Sequence, residues 1–72
     1  MSAKIAFYQR VGDRIRQLRE SKNITQEELT TMLGYRSKST ISQYERGIRG
    51  IGLYELWRIA LLFDVSIESL LR

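Results

Sequence analysis

Thr25-Gln26-Glu27-Glu28-Leu29-Thr30-Thr31-Met32-Leu33-Gly34-Tyr35-Arg36-Ser37-Lys38-Ser39-Thr40-Ile41-Ser42-Gln43-Tyr44-Glu45-Arg46-Gly47 is the stretch that decides the fold. Thr25, followed three residues later by Glu28, is a capping box: hydroxyl and carboxylate each accept a hydrogen bond from a backbone N–H that a starting helix leaves free. The helix so started buries Leu29, Met32 and Leu33. It stops at Gly34, a residue suited to the left-handed conformation just past a helix end. Tyr35-Arg36-Ser37 is a short turn, Ser37 caps a second helix from Lys38 to Arg46, and Gly47 closes that one. Helices of two to three turns are marginal alone, so these two must pack on each other and on the rest of the chain.

Working outward, Val11, Ile15 and Leu18 recur at helical spacing, with Arg10, Arg14, Arg16, Arg19 and Glu20 on other faces. The pattern predicts a first helix over Ile5–Ser21. Gly12 inside it costs roughly 1 kcal/mol relative to alanine unless a neighbouring helix needs the close approach. Beyond the Gly50-Ile51-Gly52 loop, Leu53, Leu56, Ala60 and Phe63 predict a fourth helical stripe, and Ser66 caps a last short helix carrying Ile67, Leu70 and Leu71. Residues 1–72 read as one all-α domain of five helices, without strand, linker or repeat.

The chain has 72 residues, 12 Lys plus Arg against 8 Asp plus Glu for a net charge of +4, and no cysteine, histidine or proline. A domain this small buries only about 60% of the surface its unfolded form exposes. Without cysteine there are neither disulfides nor thiolate zinc sites. Without histidine the commonest general base and metal ligand is missing. Glu27, Glu28, Glu45 and Glu55 show no catalytic or metal-binding spacing, and there is no glycine-rich phosphate loop. We therefore expect no enzyme, no metal, no cofactor and no small-molecule site. The longest apolar run, Ile59-Ala60-Leu61-Leu62-Phe63, is far short of the roughly 20 residues that span a bilayer. With no apolar segment behind the N-terminus, the expected location is cytoplasmic, away from membranes.

The excess positive charge is not spread evenly. Arg36, Lys38, Arg46 and Arg49 face a single acidic residue, Glu45, so most of the net charge sits between Arg36 and Arg49. The helix Lys38–Arg46 has few apolar anchors, mainly Ile41 and Tyr44, and hydrogen-bonding side chains at Lys38, Ser39, Thr40, Ser42, Gln43 and Arg46. Two short helices crossing at a steep angle can project the second into the major groove of double-stranded DNA. A polar, solvated face is the alternative reading of the same composition.

The segments Val11-Gly-Asp-Arg-Ile-Arg-Gln-Leu-Arg19, Asn23-Ile-Thr-Gln-Glu-Glu-Leu29, Ser39-Thr-Ile-Ser-Gln-Tyr-Glu-Arg-Gly47, Ile59-Ala60 and Phe63-Asp-Val-Ser-Ile-Glu-Ser-Leu-Leu71 together resemble the Cro/C1-type (xenobiotic-response-element class) helix-turn-helix regulators. The resemblance covers about residues 11–71, with the helix-turn-helix motif at about 25–46. It implies a five-helix lambda-repressor-like DNA-binding domain that binds an operator as a two-fold homodimer and regulates transcription, most often as a repressor. It implies a phosphate contact and a bracing role for Gln26. Recognition positions fall at Lys38, Ser39, Thr40, Ser42 and Gln43, and phosphate contacts at Arg46 and Arg49. Arg36 and Ser37, in the turn, are counted with the DNA-facing residues. Glu45 matches an acidic position that pairs with an arginine of the first helix, here Arg19. The turn Gly34–Ser37 is one residue longer than the commonest family pattern, Ile51 stands where the family often has proline, and Thr30 replaces a small apolar residue.

Trp57 and Leu61 lie off the stripe of the fourth helix and, with Ile59 and Leu62, make it apolar almost all round. The expected cover is a second copy, with Trp57, Leu61, Ile67, Leu70 and Leu71 as the candidate interface; a wide core stripe plus one exposed aromatic is the alternative. Two functions from different classes fit: a DNA-binding regulator, and an antitoxin-like protein-interaction module on the same fold.

Overall fold

Each helix starts where a side chain or glycine caps it, and the first four stop at or next to a residue where the backbone turns left-handed. The computed structural model describes residues 2–72, arranged as α1 (Ala3–Ser21), α2 (Gln26–Leu33), α3 (Lys38–Arg46), α4 (Leu53–Phe63) and α5 (Ile67–Leu71). α1 begins two residues before the apolar pattern predicts, because the Ser2 hydroxyl accepts from the Ile5 N–H at 3.1 Å. Thr25 and Glu28 form both bonds of the capping box on α2, and Ser37 and Ser66 cap α3 and α5. Gly34 and Gly47, at φ of 76° and 72°, end α2 and α3. Asn23 and Asp64 make the same left-handed turn without being glycine, after α1 and α4.

Val11 and Ile15 from α1, Leu29 and Leu33 from α2, Ile41 and Tyr44 from α3, Leu56, Ile59, Ala60 and Phe63 from α4, and Leu70 from α5 form one continuous core. At the centre α1 crosses α3 so closely that a Cβ on Gly12 would lie 2.0 Å from the Tyr44 carbonyl oxygen. This is the close approach that a glycine inside a helix called for, and it seats the third helix on the first.

Three expectations are corrected. Met32 is half exposed rather than core, since consecutive helical residues are about 100° apart and Leu33 already points inward. Leu53 is 75% exposed; the inward stripe of α4 is Leu56, Ile59, Ala60 and Phe63, the i, i+3, i+4, i+7 set, and Leu53 overhangs the core at the helix start. Leu70 has no exposed surface. It plugs the protomer's own core, so it drops out of the candidate interface. Ile67 is half-buried against that core, leaving Trp57, Leu61 and Leu71 exposed as expected.

A polar latch joins the turn after α2 to α4. Arg58 Nη2 donates to the Leu33 carbonyl at 2.7 Å and Nη1 to Glu55 Oε2 at 3.4 Å, while the Tyr35 hydroxyl donates to the same carboxylate oxygen. Burial, reinforced by this bond to Glu55, pushes the Tyr35 phenol well above its ordinary range, so it stays a donor at any physiological pH. Among the described residues no helix is long and apolar enough to cross a membrane.

Candidate nucleic-acid interface

α3 is oriented by a buried ionic network before anything outside it is touched. Arg19 of α1 presents Nε to Glu45 Oε2 at 2.6 Å and Nη2 to Glu45 Oε1 at 3.0 Å, the side-by-side geometry in which guanidinium and carboxylate match best. The remaining nitrogen, Nη1, donates to the Ile24 carbonyl at 2.7 Å, and Gln26 Nε2 donates to Glu45 Oε1 at 3.1 Å. The hydrogen bond to Glu45 raises the Arg19 pKa against the opposing effect of burial. Among the described residues no buried side-chain nitrogen or oxygen lacks a partner, as a buried pair requires if it is not to destabilise the fold. The pair expected between α1 and α3 is present. Gln26 braces α3 through it, with its amide nitrogen committed inward.

With Ile41, Tyr44 and Glu45 turned into the domain, the opposite side of α3 carries Ser39, Ser42, Gln43 and Arg46, and Lys38 stands at the helix start. These five join Gln26, Ser37 and Ile48 around a shallow depression of about 410 Å³. The helix-turn-helix thus brings together seven of the ten residues expected to face DNA. Three lie elsewhere. Thr40 sits on the flank of α3 beside the Tyr44 side, about 160° round from Ser42 by helical geometry. Arg36 is exposed in the turn, and Arg49 lies past the helix end. Ser37 and Ser39 are also bonded to each other, Oγ to Oγ at 2.9 Å, while Ser37 Oγ caps the Ser39 N–H. Their hydroxyls are therefore shared between capping and any outside contact.

Arg49 has a defined place. Its guanidinium carbon stands 5.7 Å from the centre of the Tyr44 ring, and Nη1 donates to Gln43 Oε1 at 3.4 Å. Sequence reasoning missed Ile48, which is exposed at the rim of the depression. Its N–H donates to the Gln43 carbonyl while that of Gly47 donates to Tyr44, the two-bond closure typical of a glycine-ended helix. Gly47 at the end of a polar helix was the clue that the next side chain folds back beside it. Arg58 was missed too, because nothing local marks an arginine that reaches a carbonyl 25 residues away.

The helix-turn-helix model of the HTH_3 family matches residues 15–70. The chain belongs to this family. The family is one of DNA-binding transcription regulators built on the helix-turn-helix. The chain is 39% identical over 60 residues to the HTH-type transcriptional activator BcrR of Enterococcus faecalis, a match that takes in 83% of this chain and 29% of BcrR. The chain therefore spans under a third of that relative's length. Among solved structures it superposes on the restriction-modification controller protein C.AhdI from Aeromonas hydrophila with a TM-score of 0.81 and 31% identity, over 90% of this chain and 97% of that one. The DNA-binding domain of BldD from S. venezulae matches with a TM-score of 0.82 at 20% identity, over 93% and 99% of the two chains, and shows the shared fold alone.

Proposed function

We propose that this HTH_3 domain binds a palindromic operator as a two-fold homodimer in the cytoplasm and represses by occupying it. The observation that carries this reading is the outer surface of α3: five hydrogen-bonding side chains around one depression, with Gln26 and Ile48 at its rim and a buried ion pair fixing the helix's angle. Gln43, Ser39 and Lys38 are the base readers. Arg46 and Arg36 meet phosphate, where long cations contribute affinity without sequence information. Occupancy needs only these contacts, whereas activation needs a further surface for polymerase, which is why repression is the proposed direction.

The homodimer rests on exposed apolar surface. Trp57, Leu61 and Leu71 are joined by Met32 and Tyr54, all at least a third exposed, and Met32, Tyr54, Trp57 and Leu61 line one groove between α2 and α4. One domain reads only a few base pairs, and two related by a two-fold axis read half-sites about 34 Å apart. Selection of bound sites from random duplexes tests both halves of the reading. An inverted repeat at that spacing, a dimeric mass by equilibrium ultracentrifugation and lowered output from a promoter fusion are expected. Selected sites without a repeat, or no enrichment at all beside tight capture of a protein partner, would replace this reading by the interaction-module one; raised promoter output would reverse the direction of regulation.

A further inference from the structure

We propose that Arg49 is a positioning residue for base readout: it fixes the amide of Gln43 so that this side chain prefers guanine over adenine. The inference rests on the DNA-reading role of α3 given above. An arginine has only donors, so the amide atom of Gln43 that lies 3.4 Å from Arg49 Nη1 has to be the oxygen. The orientation of the amide, ordinarily ambiguous between O and N, is thereby decided. Arg49 is itself held, because its guanidinium lies over the ring of Tyr44, a side chain buried in the core. Without this partner the terminal torsion of a glutamine is broad and nearly two-fold, so the amide would offer either atom to the groove.

The consequence follows from the edges of the bases. Glutamine reads adenine by donating to N7 and accepting from the N6 amine with the same amide. With Oε1 already bonded to a cation, its capacity to accept from N6 is reduced, and what Gln43 presents is its NH₂ group. Guanine offers two acceptors there, N7 and O6, and no donor on that part of its edge. Arg49 thus acts on sequence preference through Gln43, in addition to its charge.

Selection from random duplexes with the wild-type chain, Arg49→Met, Gln43→Ala and the double variant is the test, with circular dichroism confirming helix content. One position of each half-site is expected to show a wild-type preference for guanine over adenine of at least about fivefold, the lower end for a good bidentate contact. Arg49→Met should lower that ratio to below about twofold at the same position, with adenine gaining most. Gln43→Ala should abolish the preference, and adding Arg49→Met to it should change no position further. The proposal is overturned if Arg49→Met weakens all sequences alike with the preference intact. It is equally overturned if the wild type selects adenine at the Gln43-dependent position, or if Arg49→Met still relaxes a base pair in the Gln43→Ala background. A wild-type chain that enriches no sequence would instead remove the DNA-reading role itself, and the present inference with it.

Discussion

The two sides of α3's scaffold are built in opposite ways. Where α1 meets α3, backbone lies almost on backbone at Gly12, and in the buried Arg19–Glu45 pair each guanidinium nitrogen and each carboxylate oxygen has a partner. Where α2 meets α4, the contact is a latch of Arg58, Glu55 and Tyr35 at the rim, flanked by exposed Met32, Tyr54, Trp57 and Leu61. The first side has no slack and sets the angle at which α3 leaves the domain. The second carries apolar surface that the protomer's own core does not use. The orientation of α3 and the proposed association thus fall on different seams, so a change in one need not disturb the other.

Gly12→Ala is the strongest way to break this contrast. The added methyl meets backbone that cannot move without tilting α3, and we expect a loss of roughly 3 kcal/mol or more in urea unfolding, at or past the upper end for overpacking. Glu45→Ala comes next. It leaves the Arg19 guanidinium with only the Ile24 carbonyl, and chemical denaturation should report a loss of about 3 kcal/mol, the lower end for breaking a buried pair. A melting temperature unchanged by Glu45→Ala would mean that the pair is not what seats α3.

On the other side, Leu61→Gln changes a side chain 61% exposed, so the monomer's stability should stay within about 0.5 kcal/mol. The same substitution should shift sedimentation toward monomer and weaken binding to a two-half-site duplex more than to a single half-site. A loss of stability as large as that at Gly12 would erase the contrast. The smallest effect belongs to Glu28, whose carboxyl is held below the ordinary range by the Thr25 backbone N–H and then by the Thr25 hydroxyl. A depressed carboxylate stabilises above its unfolded pKa, and that contribution is lost as pH falls through the folded value. Melting of the wild type should therefore decline on acidification, and Glu28→Gln should decline less over the same interval.

How far the sequence can be read tracks the range of the interaction. The bounds of α2 and α3 were legible to the residue, because Thr25, Glu28, Gly34, Ser37 and Gly47 act on neighbours within one turn. Gly12 announced a close approach but not to which helix. On α4 the stripe was read correctly at Leu56, Ala60 and Phe63, with Leu53 taken in place of Ile59. In a helix apolar nearly all round, Leu53 and Ile59 compete equally for the core until the packing of the other helices selects Ile59. Leu70 fell to the same ambiguity. At the candidate site the polar face of α3 was evident from composition, whereas the link from Arg49 to Gln43 depends on how the chain folds back past Gly47.

The four left-handed helix ends are not equivalent in what they leave in reserve. Gly34 and Gly47 occupy that conformation without steric penalty, and Asn23 and Asp64, at φ of 56° and 55°, are of the L-residue types that adopt it most readily, with a strain below roughly 1 kcal/mol each. Glycine at either would relieve that strain against a loss from the more flexible unfolded chain. What headroom in stability these ends hold lies at two exposed corners away from the polar face of α3. It is a tolerance margin against which destabilising changes on α3 can accumulate, so a new binding preference can be acquired before the fold is endangered.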